Sequence, residues 1–181
     1  ARLVGLAQCA HPPARAQAFT WLDEQRTRLI AETGPLAELV VSPHADTREF
    51  ARRVLRATPV PSAGHLIARV VALLLALANT PADDARARDA TLTLTSTMAT
   101  HLGAIGQQVI RDLLAHPLSG VQELGAELLL RAGAASGTIS DEAMVAILHS
   151  EHANVRAVGM RLLAEMPDHV LASMELLLVR L

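Results

Sequence analysis

The chain has no lysine and no tyrosine, and only one cysteine, one tryptophan and two phenylalanines in 181 residues. Each shortage excludes something. A single cysteine, Cys9, permits no internal disulfide and no cysteine-built zinc cluster, so a reducing, cytoplasmic setting is expected. An aromatic share of 2% argues against a β-sandwich or barrel, which draws on aromatic and β-branched residues. A formal net charge of −2 provides no global field toward polyanions, so nucleic acid is disfavoured as a partner and no membrane is expected. The most apolar run, residues 70–78, is too short to span a bilayer, and no signal peptide is visible at the start. Without a Gly-rich phosphate loop, a Gly-x-Ser-x-Gly elbow or a Cys/His nucleophile pattern, no catalytic residue and no cofactor are expected.

The residues that are present favour helices. Hydrophobic residues make up 51% of the chain, nearly all Ala, Leu, Val, Ile and Met, which predicts an all-α fold. All sixteen basic residues are arginine. Alongside so much Ala and Leu, that bias reads first as codon usage of a bacterial-type host and only second as selection for bidentate anion binding. Residues 1–90 carry about +2 and residues 91–181 about −4.

A pattern is written twice at a spacing of thirty-four residues: Leu114 falls on Leu148, Val121 on Val155, Gly125 on Gly159, and Leu128-Leu129 on Leu162-Leu163. Apolar residues at i, i+3, i+4, i+7 and i+8 form one helical stripe. Glycine within a helix costs about 1 kcal/mol relative to alanine, so its return at one register predicts a close helix contact. A polar turn and an earlier apolar helix precede each stripe, and Ser140 is placed to cap one of these helices. Each copy therefore reads as helix, turn, helix.

A third copy lies upstream, with Pro43 on Pro117, Phe50 on Leu124, Ala51 on Gly125 and Leu55 on Leu129. Between it and the matched pair, a helix over 62–79, a turn at "NTPADD" and a helix from about Ala85 are expected, although Arg88 occupies a position that is apolar elsewhere. A first copy starts at "CAHPPARAQAFTWL", with Phe19, Trp21 and Leu22 as core surface. "TLTLTSTM", residues 91–98, alternates like a strand but has no pairing partner, and is read as helix. Residues 133–138 read as a loop. In the last segment Asp168 caps a stripe of Leu171, Met174, Leu177 and Leu178 whose partner helix never arrives. That ending, and an opening without Met, predict a piece of a longer protein or a homo-oligomer contact through the C-terminal helix.

The order leucine, turn, then "VQELGAELL" or "VRAVGMRLL" resembles the HEAT-repeat family, whose second helices open with Val-Arg and carry a small residue four positions after the Val. Val155-Arg156 and Gly159 match directly; Val121-Gln122 and Gly125 match with Gln in place of Arg. The family's turn Asp is replaced by Ser42-Pro43, His116-Pro117 and Ser150-Glu151, so the likeness is to a divergent member. The resemblance implies one domain over 1–181: a right-handed α-solenoid of four to five hairpins, with no chemistry of its own, whose second helices hold another protein. It also implies a weaker alternative, a nucleic-acid-binding or DNA-glycosylase-like module, for which Trp21 and Asp23 are all the chain offers.

Two further groups are chemical candidates. His149 and His152 flank Glu151 but lack a third ligand at metal spacing, so they read as polar turn residues and no metal is expected. Arg48, Arg52, Arg53 and Arg56 form the densest basic cluster, with the last three expected on one outward face as a contact for an anion or an acidic partner.

Overall fold

The stripe predicted from Phe50 to Leu55 becomes a helix whose buried positions are Thr47, Arg48, Phe50, Ala51, Val54 and Leu55. The same rule builds the other elements. The computed structural model describes residues 2–136, 141–166 and 171, and among these the chain is helical, with eleven α-helices and no strand. Its contacts divide it into two units, Ala1–Leu102 and Gly103–Leu181.

The first unit holds α1 (Arg2–Ala7), α2 (Pro12–Glu24), α3 (Arg26–Ala31), α4 (Thr33–Val40), α5 (Ala45–Ala57), α6 (Ala63–Leu75) and α7 (Pro81–Thr97). They pair as α1 with α2, α4 with α5, and α6 with α7, α3 bridging the first two pairs. The leading helices pack in the order α1, α4, α6 and the trailing ones in the order α2, α5, α7, so a sandwich of two helical layers encloses the core. Leu36, Leu39, Leu66, Ile67, Leu74 and Leu94 are wholly buried within it, each contributing about 1.5–3 kcal/mol relative to exposure.

In the second unit α8 (Gln107–Leu114) pairs with α9 (Ser119–Ser136), and α10 (Asp141–Leu148) with α11 (Ala153–Glu165). Here too α8 packs on α10 and α9 on α11. The repeated glycines lie where the two helices of a pair meet. A Cβ placed on Gly125 would come within 3.0 Å of Leu113 Cβ and 3.1 Å of the Leu114 backbone nitrogen; on Gly159 it would come within 2.7 Å of Ile147 Cγ2 and 3.0 Å of Leu148 Cδ2. At the equivalent register α2 and α5 carry Ala18 and Ala51, both fully buried. Val121, Leu128, Leu129, Val155 and Leu162 are buried, and Leu114, Leu148 and Leu163 are half-buried.

The turns repeat as well. Ser42 Oγ accepts the His44 amide, Ser150 Oγ the His152 amide, and His116 Nδ1 the Leu118 amide, at 3.3, 3.2 and 3.2 Å. Six residues after each turn begins, a planar side chain reaches back to its carbonyls. Arg48 Nη1 donates to Ser42 and Pro43 at 2.8 and 3.1 Å. Arg156 Nη1 donates to Ser150 and Glu151 at 2.7 and 2.9 Å. Arg15 Nη1 reaches Cys9 at 2.9 Å, and Gln122 Nε2 reaches His116 at 2.8 Å. Each brace satisfies turn carbonyls that the following helix cannot reach.

Several expectations are corrected. α6 ends at Leu75 rather than at 79, and α7 begins at Pro81 rather than near Ala85. Thr80 caps α7 by accepting the Asp83 amide at 3.1 Å, and the extra first turn moves the buried column to Ala87, Ala90, Thr91 and Leu94. Arg88 is consequently exposed and ion-paired with Asp84. Residues 91–97 are helical as expected: the hydroxyls of Thr93, Thr95, Ser96 and Thr97 donate to carbonyls four residues earlier, a local solution for residues that are poor helix formers. The loop expected from 133 gives way to α9, which continues to Ser136. Trp21 is 40% exposed and not core. The Ser140 cap and the expected helix beyond Pro167, with its oligomer contact, lie outside the described residues apart from Leu171.

Two measurements test these contacts. Gly125→Leu or Gly159→Leu is expected to cost about 1–3 kcal/mol in urea denaturation by overpacking, whereas Gly5→Ala in α1, where an added Cβ meets nothing within 4 Å, is expected to gain up to about 1 kcal/mol. An unchanged midpoint for Gly125→Leu would dismiss the close approach.

The second measurement concerns pH. Burial holds the His116 imidazole below its ordinary value, since desolvation disfavours the charged ring. The unfolded chain then takes up this proton at higher pH than the folded one, so the stability linked to His116 is complete above about pH 6.5 and is lost as pH falls through the lower, folded value. His116→Ser, which restores the hydroxyl used at Ser42 and Ser150, is expected to flatten that part of the Tm against pH curve. A curve parallel to that of the unaltered chain would show that His116 is not its source.

Candidate partner-binding face

The trailing helices α2, α5 and α7 of the first unit are tied side to side by charged and polar groups. Arg15 grips Asp46 through Nε at 2.9 Å and Nη2 at 2.8 Å while bracing its own turn. His44 Nε2 donates to the Gln8 carbonyl at 3.1 Å, and the buried Thr47 hydroxyl to the Ala7 carbonyl at 2.7 Å. Arg48 Nε and Nη2 both reach Asp89 Oδ2 at 2.7 Å. Arg52 donates to Thr93 Oγ1 at 3.1 Å and to Glu49 at 2.9 Å.

This geometry sorts the four arginines of the basic cluster. Arg48 is only 6% exposed, and its guanidinium is used entirely on the Ser42-Pro43 turn and on Asp89. Arg52 is half-buried and turned toward α7, so it does not share the outward face expected of it. Arg53 and Arg56 do point outward: both are exposed, and among the described residues neither has a carboxylate partner. Arg53 lies over the Phe50 ring at 5.4 Å, within cation–π range.

Between α2 and α5 runs an open groove of about 470 Å³, lined by Ala16, Phe19, Thr20, Asp23, Glu24 and Arg53. Its aromatic wall arises because both phenylalanines of the chain are used on one contact: Phe19 and Phe50 stack at 4.8 Å with planes 10° apart. Asp23 is held by Arg26 Nε at 3.1 Å. Trp21, two residues from Asp23 on α2, lines no part of this groove.

The second unit uses the same device. Ser150 Oγ donates to Gln122 Oε1 at 2.9 Å, Asn154 Nδ2 to Glu123 at 2.6 Å, and Glu127 accepts from both Arg131 and Arg161 at 2.6 and 2.7 Å. Met160 on α11 is 61% exposed. Among the described residues no three His, Cys, Asp or Glu side chains are gathered as a metal site would require, and no helix is long and apolar enough to cross a membrane. His149 is exposed, and His152 is the residue preceding α11.

Sequence reasoning missed the bracing column Arg15, Arg48, Gln122 and Arg156. Its signal was the constant six-residue step from the start of the turn, hidden because Gln replaces Arg once. Arg48→Met removes the donor to two turn carbonyls and leaves Asp89 with less of its charge partner, and is expected to cost on the order of 3 kcal/mol. Arg48→Gln retains a donor for the turn, as Gln122 does, and is expected to cost clearly less in the same urea titration. Equal losses would assign the stability to the ion pair alone.

No protein-family model, curated protein or solved structure matched the chain.

Proposed function

We propose that this chain is a divergent HEAT-like α-solenoid segment that holds another protein on the outward face of its trailing helices, in a reducing cytoplasmic setting and without chemistry of its own. The observation that carries the reading is the recurrence of one unit of construction: a turn capped by its own side chain, a brace six residues on, and a small residue where the helices of a pair meet. Stacked pairs hide surfaces that one pair alone leaves exposed. Their trailing helices are tied laterally through one edge, while outward positions such as Thr20, Arg53, Arg56 and Ser96 remain exposed. In the first unit, a laterally tied face with an open groove suits recognition of a partner better than it suits catalysis, for which pocket depth and convergent reactive groups are the usual requirement.

Because the chain has no lysine, amine-directed cross-linkers find no side-chain amine on its helices, and a photoreactive residue is used instead. Placed at Thr20 or Ser96 on the trailing helices, it is expected to give a discrete covalent adduct in lysate of the source cells. Placed at Ala68 or Ala72, exposed on α6, it is expected to give none. Adducts confined to α6, or none at any position, would overturn the reading.

A further inference from the structure

The α2–α5 groove is built for one kind of occupant. Its α5 side presents Arg53; Arg56, one turn on along α5, lies outside the groove's lining, and both guanidiniums are exposed without carboxylate partners among the described residues. Arg48 and Arg52, on the same helix, are already used by Asp89, Glu49 and turn carbonyls. On the α2 side, Asp23 is neutralised locally by Arg26, so Glu24 is the acid that faces a ligand. Phe19, half-buried against Phe50, supplies a flat apolar wall between them.

We propose that this groove takes an acidic peptide segment of the protein partner, a refinement that rests on the interaction reading above. Residues three apart on a helix stand about 5–6 Å apart. Alternate residues of an extended strand point the same way and repeat at roughly 6.6–6.8 Å. Two carboxylates at alternate positions of an extended segment therefore match Arg53 and Arg56, each guanidinium offering a bidentate fork. The residue between them turns away from α5, and an aliphatic or aromatic side chain adjoining the acidic pair lies on Phe19. Glu24 repels a further acid on the α2 side, so the segment carries its charge along one edge only. Arg53, already over the Phe50 ring, is restrained toward the groove and loses less freedom on binding than a fully free arginine.

The test is selection of random short peptides displayed against the whole chain at low salt, in parallel with Arg53→Glu/Arg56→Glu and Arg53→Gln/Arg56→Gln. Both variants alter exposed side chains and are expected to keep the helical signal and urea midpoint of the unaltered chain. Peptides with two acids at alternate positions beside an apolar residue are expected to emerge. In fluorescence anisotropy their affinity is expected to fall roughly tenfold or more in the charge-reversed variant, less in the Gln variant, and with added salt. Enrichment of neutral or basic peptides, no enrichment, or equal affinity for the charge-reversed variant would overturn the proposal. So would a phosphoserine version that binds more than tenfold tighter than its Asp counterpart, since the groove would then belong to phosphopeptides. Peptides that bind but ignore both variants would remove the groove while leaving partner binding intact; failed photo-cross-linking at Thr20 and Ser96 removes partner binding itself.

Discussion

A chain that folds back between two packed helices leaves carbonyls at the reversal that no helical amide can reach, and burial makes unsatisfied carbonyls costly. Four turns meet that demand in the same way, with a planar donor one and a half helical turns downstream: Arg15, Arg48, Gln122 and Arg156. Because this donor sits on the trailing helix, satisfying the turn also fixes where that helix starts and which side faces inward. Where the donor is arginine, spare N–H groups remain, and at Arg15 and Arg48 they reach a carboxylate on the neighbouring trailing helix. Where it is Gln122, the amide has no further charge to give, but its oxygen accepts from the hydroxyl of the next turn, Ser150. One position thus serves the hairpin and its neighbour together.

That double use explains why the densest run of arginines is only partly available to a ligand. Arg48 and Arg52 belong to the scaffold, and the half-buried contacts they make are of the kind whose loss is felt because a buried partner is left unpaired. Arg53 and Arg56 lie outside the lateral seam, Arg53 over the Phe50 ring. Of the exposed charges on α5, Asp46 and Glu49 are held by Arg15 and Arg52, which leaves Arg53 and Arg56 as the charges of that face without an ion-pair partner among the described residues.

Much of the architecture was legible from periodicity. The thirty-four-residue echo identified α8 to α11, and Gly125 and Gly159 disclosed the close approach, since a mid-helix glycine costs stability unless geometry requires it. Reading "TLTLTSTM" as helix held because its hydroxyls bond to the preceding turn of their own backbone. The register of α7 was not legible. It depends on Thr80 rather than Asp84, four places later, acting as the cap, and both residue types cap helices well. Nor could the outward placement of Arg52 be judged, because helical spacing gives its direction without revealing that Asp89 and Thr93 stand across the seam. Trp21 failed for the opposite reason: hydrophobicity suggested burial, but its side of α2 is only partly covered.

Every phenylalanine and tryptophan of the chain, Phe19, Trp21 and Phe50, falls in the unit Ala1–Leu102, and none in Gly103–Leu181, and the chain has no tyrosine. Intrinsic fluorescence and near-ultraviolet dichroism consequently see one unit and are blind to the other, while far-ultraviolet dichroism sees both. The molecule carries a built-in optical label on one side of its own division, so any separation between those spectroscopic transitions reports directly whether the two units melt as one cooperative body.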